Sequence, residues 1–179
     1  MPDILQQALE AAAAATPVSR AIAIACADWL IYLVALILLV ALVWHRDRLT
    51  AALLVRIVIL ATLAFAFSLV GGALISDPRP FIVTHTPPLT AVTPDNGFPS
   101  DHVLLATTMT AALWWIDRRL TLACAFLTLL IMLGRLAIGA HHTLDVVGSV
   151  VLVILAFLVA NWLPLPAGWS QSRSPAASR

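Results

Sequence analysis

Five long apolar runs limit what this chain can fold into more than any other feature. They cover residues 21–44, 51–75, 103–116, 120–139 and 146–163 of 179 residues, of which 61% are hydrophobic and 11% charged. A helix needs about 20 apolar residues to cross the hydrocarbon core of a bilayer. We therefore predict five membrane spans, the third of which reaches spanning length only if its helix starts near Ser100.

The apolar runs are continuous, whereas lipid-facing strands of a barrel alternate with polar residues that face the lumen. This favours an all-α integral membrane protein, a bundle of about five transmembrane helices. We divide the chain into a leader (1–19), a membrane-embedded domain (20–166) and a disordered C-terminal tail (167–179). The leader is predicted to be an interfacial amphipathic helix capped by Asp3, or else flexible; the pattern leaves both open.

The arginines predict the orientation of the chain in the membrane. With five spans, most of them fall on one side, which the positive-inside rule makes cytoplasmic. The long connection 76–99 and the turn after residue 139 then lie together on the opposite, outward side. The arginines on the cytoplasmic side are Arg46, Arg48, Arg118, Arg119, Arg173 and Arg179.

The outward connections carry the candidate chemistry. The connection 76–99 contains six of the eleven prolines, begins near Arg79 and ends at the sequence Pro99-Ser100-Asp101-His102. Connections of this length without regular structure are often functional. The turn between the fourth and fifth spans adds the sequence from Arg135 to Asp145.

Arg135 sits inside the fourth apolar run and Asp145 directly before the fifth, where a charge is costly and is a functional candidate by default. An ion pair between these two residues is the structural alternative. In a helix that begins near His141, Asp145 lies one turn later on the same face and can accept a hydrogen bond from the imidazole. That bond would leave the other ring nitrogen free to attack phosphorus or act as a base. Geometry alone does not exclude His142 from this role.

The start of the third span is predicted to bind an anion. Ser100 is placed to cap the helix, whose free amide groups and positive dipole end suit a phosphate. Arg79 and Arg135 add guanidinium groups that match phosphate oxygens, and His102 could protonate a leaving oxygen.

A metal site is the chemical competitor of this phosphate site. The nearby arginines argue against it, because they favour an anion and repel a cation. Its ligands would be drawn from Asp101, His102, His141, His142 and Asp145.

Three motifs between residues 72 and 145 resemble the signature of the type 2 phosphatidic acid phosphatase superfamily, which reads K-x6-RP, PSGH and SR-x5-H-x3-D. The third motif is the most specific, since Arg135, His141 and Asp145 have its spacing, although its leading serine is Gly134. The first motif retains Arg79-Pro80, but Gly72 occupies the lysine position. One phosphate contact of the family is therefore missing or supplied differently.

The second motif appears as Pro99-Ser100-Asp101-His102. Its aspartate in place of glycine is similar to the bacitracin-resistance type of undecaprenyl diphosphate phosphatase. The resemblance implies that His141 is a nucleophile that forms a phosphohistidine, oriented by Asp145, and that His102 is the general acid. It also implies no metal and no cofactor. The phosphate-binding residues are then Arg79, Ser100, Asp101 and Arg135. The residue type alone assigns no role to Asp101, because a carboxylate beside a phosphate repels it.

The resemblance predicts a lipid phosphatase that hydrolyses undecaprenyl diphosphate to undecaprenyl phosphate at the outward face of a bacterial plasma membrane. The alternatives are a phosphatase for phosphatidic acid or phosphatidylglycerol phosphate, and a non-enzymatic lipid-phosphate binder or transporter. The expected partners are the lipid phosphate or diphosphate substrate and membrane lipids, with no nucleic acid. The sequence does not predict an oligomeric state.

Overall fold

The computed structural model describes residues 3–170, and within that range the chain is helical without any strand. The all-α prediction is confirmed. Of the tail predicted to be disordered, Ala167–Ser170 form a short 3-10 helix, and residues 171–179 lie outside the described part. The helices are α1 (Ile4–Ala14), α2 (Pro17–Trp44), α3 (Ala51–Leu74), α4 (Pro80–Thr84), α5 (Asp101–Leu113), α6 (Arg118–Ala137) and α7 (Thr143–Trp162).

Four helices in the described residues, α2, α3, α6 and α7, are long and apolar enough to cross a membrane. The third predicted span instead forms α5, which begins directly after Ser100 as expected but has only 13 residues. At 1.5 Å per residue, α5 is about 20 Å long. It ends early because Asp117 caps the start of α6, accepting hydrogen bonds from the amides of Arg119 and Leu120 at 2.8 and 3.2 Å.

Helix α5 lies in the middle of the bundle and packs against α2, α3, α6 and α7. Its buried side chains Val103, Ala106 and Leu113 are completely shielded from solvent. Small residues at these contacts let the helix backbones approach closely, which is the usual basis of helix packing in membranes. The packing brings the start of α5 beside the end of α6 and the start of α7, where the predicted site residues lie.

The leader forms a helix, which is one of the two conformations predicted for it; its place at a membrane interface stays a prediction. The Asp3 carboxylate accepts a hydrogen bond from the Gln6 amide at 3.1 Å and so caps α1. The same carboxylate accepts bonds from the amide and, at 2.9 Å, from the hydroxyl of Thr143. A negative charge at this position stabilises a helix start. Helix α1 is therefore tied to the first residue of α7.

At Gly134 the backbone of α6 lies close to the backbone of α2. A Cβ atom at this position would lie 2.5 Å from the backbone nitrogen of Ala27 and 2.8 Å from the carbonyl carbon of Cys26. Ala27 belongs to a π-helical turn, Ala25–Trp29, inside α2. The glycine in place of the family's leading serine thus permits a backbone contact that a side chain would obstruct.

Gly134→Ser, which restores the serine of the motif, is expected to lower the thermal stability of the protein. Overpacking a tight contact costs about 1–3 kcal/mol, and here the obstruction is backbone. Thermal unfolding in detergent, followed by circular dichroism, would measure the effect. Gly168→Ser is the matched control, because a Cβ at Gly168 would meet nothing within 4 Å. Equal melting temperatures for the two variants would contradict the predicted clash.

Candidate active site

His141 is the centre of the candidate site. It lies in the short connection between α6 and α7, and 2% of it is exposed. The chain turns sharply before it at Gly139, whose φ of +74° is in the left-handed region that favours glycine. This turn places the imidazole inside the bundle, between the end of the 76–99 connection and α6.

The hydrogen bonds of His141 define the roles of its two ring nitrogens. Nδ1 lies 3.0 Å from the carbonyl oxygen of Gly97 and 3.4 Å from Oδ2 of Asp145. Because a carbonyl only accepts hydrogen bonds, we assign the proton of the neutral ring to Nδ1. Nε2 then keeps its lone pair. It lies 3.2 Å from a terminal nitrogen of Arg79 and 3.5 Å from one of Arg135.

Burial and the two guanidinium groups lower the pKa of His141 from its usual 6.5 to about 3. Burial is the larger cause, because it disfavours the charged ring. Arg135 and Arg79 add repulsion, which outweighs the opposite effect of the hydrogen bond to Gly97. The imidazole is therefore neutral, and Nε2 unprotonated, at physiological pH.

Arg79 is held in place from both sides. It precedes α4, and its Nε and a terminal nitrogen contact Asp95 Oδ1 at 2.8 and 2.7 Å. Its other terminal nitrogen donates to the carbonyl of Ala140 at 3.1 Å. Burial would raise the pKa of Asp95, but the hydrogen bond and charge of Arg79 lower it below its usual value. The guanidinium group is thereby fixed against Nε2 of His141.

Arg135 pairs with Asp28, not with Asp145 as the structural alternative required. Its terminal nitrogen donates to Asp28 Oδ1 at 2.9 Å, whereas its Nε is buried and has no hydrogen-bond partner among the described residues. The side chain is buried. One terminal nitrogen of this guanidinium group is thus paired with α2, whereas the other lies beside Nε2 of His141.

The side chains around Nε2 line a cavity of about 360 Å³. The structure brings five of the predicted site residues to it: Arg79, Asp101, His102, Arg135 and His141. His102 therefore reaches the same space as the predicted nucleophile. The remaining wall is formed by Asp28, Tyr32, Ala91, Val92, Thr93 and Asp95.

Ser100 and Asp145 do not line this cavity. Ser100 occupies the N-cap position of α5, as predicted, but its side chain makes no capping bond and its buried hydroxyl has no partner among the described residues. Its amide instead donates to the hydroxyl of Ser149 at 2.9 Å. Asp145 is fully buried behind His141, and its Oδ2 accepts a hydrogen bond from the amide of His142 at 2.9 Å.

Gly72, at the lysine position of the first motif, lies beside a second cavity of about 590 Å³ that shares Arg79, Asp95 and Asp101 with the first. Arg79 is the one cationic side chain among its lining residues in the described part of the chain. A Cβ at Gly72 would lie 3.2 Å from the carbonyl oxygen of Phe98. Any side chain at this position would therefore press on the backbone at Phe98.

The motifs in the sequence do not include the residues that hold the arginines and His141 in place. The clearest available signal was Asp28, a lone carboxylate inside the first apolar run, where charges are functional candidates. Asp95 and the Gly97 carbonyl carried no such signal, because they lie in a polar, irregular connection. Asn96 was also missed: its Nδ2 lies within 3.0 Å of the carbonyl oxygens of Gly72, Ile75 and Phe98, and its Oδ1 accepts from the amide of Asp77 at 2.8 Å.

Comparison with known proteins places this site in a family. The family model of the PAP2 superfamily matches residues 51–169. Undecaprenyl-diphosphatase BcrC of Bacillus subtilis (strain 168) is 34% identical over 83 residues, which are 46% of this chain and 43% of that protein. No solved structure gives a significant match to this chain. Since the family model covers more than half of the chain and the region that holds the arginines and histidines of the site, the protein belongs to the PAP2 superfamily of phosphatases.

Proposed function

We propose that this membrane phosphatase hydrolyses undecaprenyl diphosphate to undecaprenyl phosphate through a phosphohistidine on His141. The observation that carries the proposal is the unprotonated Nε2 of His141 held between Arg79 and Arg135. A histidine nucleophile must be unprotonated, and a phosphoryl group in transfer is stabilised by guanidinium groups around its oxygens. The name of the Bacillus relative supports the choice of substrate.

In the first step, Nε2 of His141 attacks the terminal phosphorus and the bond from phosphorus to the bridging oxygen breaks. His102 donates a proton to that oxygen, and undecaprenyl phosphate leaves. The Nδ1 proton stays on the ring, where the Gly97 carbonyl and the Asp145 carboxylate stabilise the positive charge that develops. In the second step, His102 removes a proton from water, which attacks the phosphohistidine and releases inorganic phosphate.

Arg79 and Arg135 supply the positive charge that a metal ion provides in other phosphoryl-transfer enzymes. Both are buried, so their hydrogen bonds to phosphate oxygens would form in a partly dehydrated site and would be strong. Their partners Asp95 and Asp28 fix each group before substrate binds. We therefore propose that the reaction needs no metal.

We also propose that the site faces the exterior of a bacterial plasma membrane. The site lies at the ends of α3 and α6 and at the starts of α5 and α7. Arg46 and Arg48 lie in the connection between α2 and α3, and Arg118 and Arg119 are the first residues of α6, so all four lie at the opposite helix ends. The positive-inside rule assigns that arginine-rich end to the cytoplasm.

The substrate prediction is tested by phosphate release from three lipids in separate vesicles: undecaprenyl diphosphate, phosphatidic acid and phosphatidylglycerol phosphate, each with and without EDTA. We expect the highest kcat/KM for undecaprenyl diphosphate and no loss in EDTA. Higher kcat/KM for either glycerolipid would reassign the substrate. Strict metal dependence would contradict the phosphohistidine mechanism, and phosphate binding without release would indicate a lipid-phosphate binder.

His141→Ala is expected to lower kcat by orders of magnitude, because it removes the attacking atom. His142→Ala is expected to lower kcat only modestly, since the His142 ring does not line the cavity at Nε2 of His141. Phosphate release from undecaprenyl diphosphate gives kcat for both variants. Each variant is the matched control for the other, because the two histidines are adjacent in the chain. The reverse ranking would make His142 the nucleophile.

The pH profile tests the charges that act on His141. With its pKa lowered to about 3, the ring stays unprotonated as the pH falls to about 4. Arg135→Gln removes one repelling charge, so the pKa of His141 rises and its protonation lowers kcat/KM at a higher pH than in wild type. The measurement is the ratio of variant to wild-type kcat/KM between pH 4 and 8. Protonation of the substrate affects both enzymes equally and therefore does not change this ratio.

Arg56→Gln is the matched control for this profile, because Arg56 donates to the carbonyls of Ala160 and Asn161 at the other end of α7. Its ratio to wild type should not change with pH. A constant ratio for Arg135→Gln would show that Arg135 does not control the charge of His141.

A further inference from the structure

Asp77, His142 and Asp145 form a second cluster behind His141. One ligand atom from each residue lies within 4.8 Å of the other two. None of the three side chains lines the cavity that contains Nε2 of His141. The proposed phosphatase reaction uses only Asp145 of this cluster, and it uses that residue to support Nδ1 of His141.

The fold fixes all three residues by backbone structure. His142 is the N-cap residue of α7, and Asp145 follows within its first turn. Asp77 lies after α3, where its amide donates to Asn96 Oδ1 at 2.8 Å and its carbonyl accepts from the Gly97 amide at 2.8 Å. The cluster is therefore a built feature of the loop and the helix start.

The spacing of the ligand atoms suits a tetrahedral transition metal ion. Bonds of about 2.0–2.1 Å to nitrogen and oxygen at a tetrahedral angle place neighbouring ligand atoms about 3.3 Å apart. His142 Nδ1 and Asp77 Oδ1 are 3.3 Å apart. The third ligand atom lies within 4.8 Å of the other two, so it would move closer by up to about 1.5 Å to bind the same ion.

Asp145, the buried member of the cluster, has one carboxylate oxygen without a hydrogen-bond partner. Asp145 is 0% exposed, and its Oδ1 has no hydrogen-bond partner among the described residues. The two nearby arginines cannot neutralise it, because Arg79 pairs with Asp95 and Arg135 with Asp28. A buried carboxylate oxygen without a partner is costly, and a bound cation removes that cost.

An ion can reach the cluster from solvent. The side chains of Asp77 and His142 are 20% and 21% exposed, whereas Asp145 closes the cluster from inside. This arrangement supplies two carboxylates and one imidazole, which are ligand types that Zn²⁺ accepts, and leaves one position open to water.

We propose that Asp77, His142 and Asp145 bind one divalent transition metal ion of the Zn²⁺ type. The ion takes no part in phosphoryl transfer. It withdraws electron density from the Asp145 carboxylate, which then stabilises the positive charge on His141 less well. Zn²⁺ therefore inhibits the phosphatase.

The test is a titration of the purified full-length protein with Zn²⁺ in detergent, after treatment with EDTA and in a buffer without phosphate. Isothermal calorimetry should show one ion per chain. Asp77→Asn and His142→Ala should each weaken binding by more than about tenfold, since each removes a ligand. Circular dichroism is used to check that both variants are folded.

His45→Ala is the matched control, because His45 Nε2 lies 3.5 Å from Asp117 Oδ2 in another histidine and aspartate pair. This variant should bind Zn²⁺ as wild type does. Failure of the wild-type protein to bind one ion, or unchanged affinity in Asp77→Asn and His142→Ala, would overturn the site. Absence of substrate from the titration keeps this result independent of the proposed phosphatase function.

The proposed inhibition by Zn²⁺ bound at Asp145 is tested by measuring phosphate release at increasing Zn²⁺ concentrations. Inhibition should be present in wild type and in His45→Ala, and it should require at least tenfold more Zn²⁺ in Asp77→Asn. Equal inhibition of all three proteins would show that Zn²⁺ acts elsewhere, and would overturn the coupling.

Discussion

The contact of two buried guanidinium groups with Nε2 of His141 is the interaction on which the rest of the site depends. Arg79 and Arg135 approach this nitrogen from different elements, one before α4 and the other near the end of α6. Two cations and an imidazole can share a buried space only if the ring is neutral. The same arrangement that keeps the ring unprotonated also places positive charge at Nε2, where the proposed function has the phosphoryl group bind.

Each arginine is itself neutralised by a carboxylate from a distant part of the chain. Asp95 comes from the long connection, and Asp28 comes from a π-helical turn in α2. Charges buried within a membrane domain are stable mainly when they are paired. The network therefore joins the first span to the turn that holds His141, although the match of the family model begins only at residue 51.

Two departures from the family motifs have structural explanations in the same network. Gly134 lets α6 contact the backbone of Ala27, one residue before Asp28, which brings Arg135 within reach of that carboxylate. Gly72 lies against the Phe98 carbonyl. The side-chain amide of Asn96 donates hydrogen bonds to three backbone carbonyls in this region. Both glycines permit close backbone contacts around the site, so a family residue at either position would change the packing.

The sequence by itself determined the helical class and the start of α5, because both follow from the apolar runs. It also determined that Arg79, His102, Arg135 and His141 converge, because the number of spans between two connections decides whether they lie on the same side of the membrane. It did not determine that α5 is short, that Arg135 pairs with Asp28, or that the Gly97 carbonyl lies nearer to His141 Nδ1 than Asp145 does. Those features depend on contacts between residues far apart in the chain. Hydrophobic periodicity and spacing report which face a residue occupies, whereas the partner of a buried charge is decided only when the helices pack.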